Sequence, residues 1–238
     1  MTEPARARRV APEGLDIEVA GVRLRLLPQG ALYWPEERTL IVADLHLEKG
    51  SAFAAAGVFL PPYDSAATLL ALTGLCGRHG PERVIALGDS FHDAEAPGRL
   101  APRDATAIAS LQRGREWIWI AGNHDPAPPQ GLGGEAAREL AIDGLTFRHQ
   151  PLSGAGAGEI SGHLHPVGRV RVKGRTIRRR CFAADGARLI VPAMGAFTGG
   201  LNVLDSAFCD LFAGPFHAWM LGEKRLYPVR RRRLLPDA

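Results

Sequence analysis

The chain has 238 residues, 46% hydrophobic and 23% charged, which suits one α/β domain with a sizeable core. Its 29 basic residues against 25 acidic give a net charge of +4, which permits nucleic acid as a partner without requiring it. No apolar stretch approaches the roughly 20 residues that span a bilayer, so a membrane is not an expected partner. Three widely spaced cysteines (Cys76, Cys181, Cys209) exclude a zinc ribbon and fit reduced thiols in a cytoplasmic protein.

Residues 1–15 read as a flexible leader, Pro- and Arg-containing, with no apolar core behind the basic residues that would make a secretion signal. Residues 17–27 alternate apolar and polar, the period of half-buried strands. A turn at Gln29-Gly30 leads to the apolar run 39–43. Helix 65–78 follows Pro61-Pro62-Tyr63-Asp64 and is stopped by Gly80 and Pro81. Strand 84–87, helix 103–113 and strand 117–121 complete an alternating order that predicts a parallel sheet. Trp117 and Trp119 are assigned to that last strand's core faces. Beyond the Pro/Gly-rich loop 126–134, short strands are separated by hairpin-type turns at Asp143-Gly144, Lys173-Gly174 and Asp185-Gly186. They predict a second sheet packed on the first. The expected organisation is one domain over 16–228, followed by a basic tail over 229–238 that carries Arg230–Arg233 and reads as mobile.

Five of the predicted strands end in metal-ligand residue types. Strand 39–43 leads to Asp44 and His46, strand 84–87 to Gly88-Asp89, and strand 117–121 to Gly122-Asn123-His124-Asp125. Strands 145–147 and 159–161 lead to His149 and to Gly162-His163-Leu164-His165. In open α/β sheets, sites form beyond the carboxyl ends of strands. Asp44 and His46, two apart on an extended segment, would share one ion. Sorted by reach, Asp44, His46, Asp89 and His165 hold a first ion; Asp89, Asn123, His149 and His163 hold a second, with Asp89 as the bridge. Mixed oxygen and nitrogen donors suit manganese, and also iron or zinc. Two ions about 3.5–4 Å apart can bridge a hydroxide that attacks phosphorus in line. His124 is left to protonate the leaving alkoxide or donate to a non-bridging oxygen, with Asp125 as its orienting partner. Gly88, Gly122 and Gly162 let backbone pass close to the cluster.

This ordered set of motifs over residues 39–166 resembles the calcineurin-like metallophosphoesterase superfamily. The segment Asp44-Leu45-His46-Leu47-Glu48-Lys49-Gly50, with Phe53, Gly57 and Leu60-Pro61-Pro62-Tyr63-Asp64, resembles more narrowly the ligase-associated DNA damage response endonucleases. The resemblance implies a four-layer αββα sandwich, two mixed sheets flanked by helices. It also implies manganese-preferring hydrolysis of single-stranded or flapped DNA in repair, and association with an ATP-dependent DNA ligase and a helicase. Gly88-Asp89-Ser90-Phe91-His92 resembles the GDxFH string of metallophosphoesterase nucleases, which implies that His92 assists the phosphodiester; an exposed loop histidine is the alternative.

Only 25 residues separate Asn123 from His149, and 13 separate His149 from His163, so no cap domain can enclose a small substrate. An open site admits a polymer. Arg169, Arg171 and Lys173 follow at a period of two, with Arg175 and Arg178–Arg180 beyond them, and form either a phosphate track or a solvated hairpin face. Phe53, Tyr63, Phe91 and Phe197 are the aromatics expected near the site. Two alternatives stand beside the nuclease: a small-molecule phosphoesterase acting on nucleotides or related esters, and a metal-stabilised binding module without turnover.

Overall fold

The computed structural model describes residues 14–127, 129, 131–212 and 214–237. Its first sheet starts as an antiparallel meander of β1 (Leu15–Val19), β2 (Val22–Leu26), β3 (Leu32–Trp34) and β4 (Thr39–Val42). The chain crosses through α1 (Lys49–Ala55) and α2 (Asp64–His79) to β5 (Arg83–Leu87). It then passes through α3 (Ala96–Arg99) and α4 (Pro102–Gln112) to β6 (Glu116–Ile120). β4, β5 and β6 run parallel, as the alternating order predicts, and β7 (Glu135–Ala137) adds a further parallel strand at the edge.

Helix α2 buries Leu69, Leu72, Leu75 and Cys76, a three-to-four-residue stripe, against this sheet. It ends where Gly80 turns left-handed (φ 54°) and donates its N–H to the Cys76 carbonyl. Pro102 opens α4, where its missing N–H costs nothing, and Ile108 and Leu111 pack inward.

The second sheet contains β8 (Glu139–Ile142), β9 (Leu145–Arg148), β10 (Glu159–Ser161), β11 (Val167–Val172) and β12 (Arg175–Ala184). β13 (Leu189–Ile190), β14 (His217–Leu221) and β15 (Leu226–Arg230) complete it. Its order is β15-β14-β12-β13-β10-β9-β8, with β11 paired to the outer half of β12 as a two-stranded ribbon. β9 and β10 run parallel, so their carboxyl ends lie together. Asp143-Gly144 and Lys173-Gly174 close two-residue hairpins with positive φ at both residues, the geometry that matches strand twist. The Asp185-Gly186 turn is longer: the Asp185 carboxylate accepts the N–H groups of Ala187 and Arg188.

Strand alternation sorts the apolar side chains into three layers of core. Ile41, Ile85 and Ile118 of the first sheet meet Phe147, Ile160 and Phe182 of the second. Leu40, Val84, Trp117 and Trp119 face α2 and α4. On the far side, Cys181, Ala183 and Ala218 are covered by Val203, Phe208, Leu211 and Phe216, in a segment whose regular element is the 3-10 turn Ser206–Phe208. The αββα sandwich therefore has one full helical layer and one thin one. No helix among the described residues is long and apolar enough to cross a membrane.

Two expectations change at the chain's ends. The leader expected over 1–15 lies, but for its last two residues, outside the described residues, and Leu15 already pairs with Leu26. The tail expected to be mobile from 229 is docked: Arg230 closes β15, and Leu234 is 6% exposed in the outer core. Four arginines suggested a solvated tail, but the leucine behind them gains about 1.5–3 kcal/mol by burial.

Candidate metal centre

All seven side chains sorted as metal ligands gather at the carboxyl ends of β4, β5, β6, β9 and β10, where the two sheets meet. Two clusters form. In one, His46 Nε2 and His165 Nε2 are 3.2 Å apart, and His165 Nε2 lies 3.3 Å from Asp44 Oδ1. In the other, His149 Nε2 lies 2.9 Å from Asn123 Oδ1, 3.0 Å from His163 Nδ1 and 3.4 Å from Asp89 Oδ1. Asp89 stands between them, its Oδ2 3.9 Å from His46 Nε2.

The tautomer of His149 decides what this arrangement can hold. Its Nδ1 faces the Leu87 carbonyl at 2.8 Å, and a carbonyl only accepts, so the proton sits on Nδ1. Nε2 is then the atom that faces Asn123 Oδ1, Asp89 Oδ1 and His163 Nδ1, a donor to them while the ring is protonated and a ligand once a metal takes that proton's place. Nitrogen and oxygen atoms of this kind converge in this way around a cation. Asp44 and Asp89 are 0% and 2% exposed, and among the described residues neither has a Lys or Arg within ion-pair distance. His46 Nδ1 is buried without a hydrogen-bond partner. These His and Asp clusters fit divalent metal ions.

Electrostatics agree. Burial, then the neighbouring His165, pushes His46 down to about 3. Burial opposes ionisation of Asp89, yet the hydrogen bond and charge of His149 and the His124 N–H hold its carboxyl at about 2. For His149, burial works against a positive charge, but Asp89 and Asp44 outweigh it and raise the imidazole. The field that favours a proton there is the field a metal ion would feel.

The backbone is strained at the same place. Asp44 (φ 52°), His46 (42°), Asp89 (45°), His163 (68°) and His165 (46°) all adopt left-handed conformations. The segment from Asp44 to His46 is therefore not the extended strand expected; alternate left-handed residues aim both side chains into the site. Three glycines make room: a Cβ on Gly88 would lie 2.6 Å from the His149 ring. A Cβ on Gly122 would lie 2.3 Å from Asp89 Oδ1, and one on Gly162 would lie 2.6 Å from Asp44 Oδ2.

His124 is exposed beside the first cluster, its ring 5.2 Å from that of His46 and its Nε2 4.0 Å from Asp89 Oδ2. Its Nδ1–H donates to the His92 carbonyl at 2.7 Å, so the orienting partner is that carbonyl and not Asp125. Asp125 accepts instead from the N–H groups of Ser90 (2.8 Å), Phe91 (3.1 Å) and Gly122 (3.1 Å), which ties the two ligand loops together. Burial pushes its carboxyl up to about 6 against those donors. The His92 ring stacks on His124 at 5.4 Å, and Phe53 lies against it, tilted, at 5.8 Å. Of the other expected aromatics, Phe91 is fully buried in the core, and Tyr63 and Phe197 are exposed.

The structure also explains the motif after His46. Ser65 Oγ accepts the Glu48 N–H and donates to the Glu48 carboxylate, both at 2.8 Å. The Gly50 N–H reaches Asp64 at 2.9 Å, and a side chain at 50 would collide with that carboxylate. This lock fixes α1 on α2. It sets Lys49 close enough for its charge, after burial, to lower His92. Sequence reasoning assigned no role to Lys49; its place within the motif was the signal available.

The family model for calcineurin-like phosphoesterases matches residues 37–185, more than half of the sequence. The chain belongs to the calcineurin-like phosphoesterase family. Among solved structures it is similar to the Pseudomonas putida nuclease MPE, with 29% identity and a TM-score of 0.71, over 91% of this chain and 100% of that one. That likeness agrees with the narrower resemblance to the ligase-associated endonucleases and with the sandwich fold. The Escherichia coli phosphoesterase YfcE aligns at 12% identity with a TM-score of 0.40, over 80% of this chain and 97% of that one. A comparison with curated proteins gives no match.

On the ribbon, Arg169 and Arg171 share one face, while Arg175 pairs with Val172 on the other. The one-sided run of cations thus covers Arg169, Arg171 and the turn residue Lys173, without Arg175. Strand register after a two-residue turn reverses the face that simple counting gives.

Proposed function

We propose that this protein is a binuclear metal-dependent phosphodiesterase that cuts single-stranded or flapped DNA. The observation that carries the metal reading is the convergence of His149 Nε2, Asn123 Oδ1, His163 Nδ1 and Asp89 Oδ1, with the other nitrogen of His149 committed to Leu87. Asp44, His46 and His165 would hold one ion, Asn123, His149 and His163 the other, with Asp89 shared. Divalent ions so placed supply positive charge to phosphoryl oxygens and make water a usable nucleophile near neutral pH. Manganese suits the donor set, with iron and zinc the competing choices.

The protein's own residues would do the rest. With Nδ1–H fixed on the His92 carbonyl, the proton His124 could give up is the one at Nε2, on the side of Asp89, where it would serve the leaving alkoxide. His92 is lowered by burial and by Lys49, so it would meet the substrate as a neutral donor or acceptor. Nucleic acid is favoured because Asn123 and His124 are exposed and a cationic ribbon follows His165 directly. The likeness to a protein named as a nuclease supports the same substrate. A place in DNA repair beside a ligase and helicase rests on the family resemblance, and a cytoplasmic location on the three free cysteines.

The test is incubation with manganese and an end-labelled single strand, in parallel with p-nitrophenyl phosphate and its bis-aryl diester. Cleaved strand and diester hydrolysis are expected. His124→Ala should keep its metal content and lose about 10²–10⁴ of the turnover. Intact DNA together with rapid monoester hydrolysis would overturn the reading in favour of a small-molecule phosphoesterase.

A further inference from the structure

On the ribbon, Arg169 and Arg178 are directly opposed. Like charges across a strand pair repel. Here a carboxylate offsets the repulsion: Asp237 accepts from Arg178 Nε and Nη2, both at 3.3 Å, and from Asn202 Nδ2 at 3.2 Å. Arg169 Nη1 donates to the neighbouring Pro236 carbonyl at 2.6 Å. Asn202 is 5% exposed, and its Oδ1 accepts the Leu204 N–H, so its amide nitrogen must face the strap, where it also reaches the Leu235 carbonyl at 2.9 Å. The Arg178 guanidinium and a buried, oriented amide hold the anion, and Arg169, bonded to the adjoining carbonyl, adds its charge beside it: a built anion site.

Its location matters. Arg178 Nη2 also donates to the Gly200 carbonyl at 2.8 Å. Gly200 lies so close to the His165 carbonyl that a Cβ there would be 2.2 Å away. The cradle is therefore one residue removed from a candidate metal ligand. Outward on the same ribbon face, Arg171 and then Lys173 are exposed, with no ion-pair partner among the described residues. The cationic row is open at its outer end and filled by Asp237 at its inner end. The filling is exchangeable: the side chains of Arg178 and Asp237 are 44% and 47% exposed, and such pairs are weak. Leu234 already anchors the segment in the core, so the ion pair is not needed to hold it.

We propose that Arg169, Arg178 and Asn202 form a backbone-phosphate site at the inner end of a single-strand track, and that Asp237 occupies it in the free protein as an internal anion which the strand displaces. This rests on the nucleic-acid reading above. It is tested by the affinity of the full chain for a labelled phosphorothioate oligo-dT across a salt series. Asp237→Ala should bind on the order of 3- to 10-fold tighter, with the slope of log affinity on log salt steeper by about 0.7. Arg178→Ala should bind more weakly, and the double variant no tighter than Arg178→Ala. Asp237→Asn, which keeps the side-chain shape, should share the gain; this separates lost charge from a loosened strap. Wild-type binding that Asp237→Ala and Asp237→Asn leave unchanged or weaken would overturn the cradle alone. A double variant that gains as much as Asp237→Ala would do the same. Absence of oligonucleotide binding by wild type, with the bis-aryl diester still hydrolysed, would remove the nucleic-acid reading and the cradle with it.

Discussion

The two sheets bring different chemistry to the place where they meet. The helix-backed sheet supplies both acids, Asp44 and Asp89, together with Asn123 and His46; the second sheet supplies only imidazoles, His149, His163 and His165. The second-sheet ligands are oriented by the first: the Leu87 carbonyl fixes His149, and Asp44 accepts the His163 N–H at 3.0 Å. Neither sheet holds a complete site. The donor set is a property of how the sheets dock, and negative charge is confined to one wall of it.

That asymmetry can be broken from either side. The largest effect should come from Asp89→Asn, because Asp89 faces both clusters and also accepts the His124 N–H. Diester turnover should fall by about 10²–10³ or more. Turnover equal to wild type would remove Asp89 from the reaction. His163→Ala, which takes one imidazole from the other wall, should cost less, about 10- to 100-fold at saturating manganese. Its bound metal, read by elemental mass spectrometry, should drop; an unchanged stoichiometry would count against ligation. The smallest effect is on stability. A cation at 100 times its Kd adds about 2.7 kcal/mol, which for a chain of this size is about 5–10 °C of melting temperature. Chelation should remove that increment, and a melt indifferent to chelator would mean that no ion joins the sheets.

The strands that carry the site were legible because each is an apolar run: Thr39–Val42, Arg83–Leu87 and Glu116–Ile120 are buried on both faces, one by the other sheet and one by helices. Helix Lys49–Ala55 was not, since seven residues rich in Ala and Gly carry no amphipathic stripe. Nor was Glu135–Ala137, an edge strand fixed by pairing with β6 and not by its own composition. At the site, residue types and order were enough to group the ligands, but not to give their backbone. Left-handed conformations at Asp44 and His46 are imposed by tertiary hydrogen bonds, such as His46 N–H to the Asp89 carbonyl, which no local pattern records. The same holds for Asp125, whose adjacency to His124 suggested a partnership that the fold gives to the His92 carbonyl.

The five left-handed ligand positions set a conflict between robustness and chemistry. Each costs of order 1–3 kcal/mol in a non-glycine residue, and glycine would relieve the backbone while deleting the donor. Selection of this protein for heat tolerance alone would therefore enrich sequences whose loops are relaxed and whose catalytic capacity is gone.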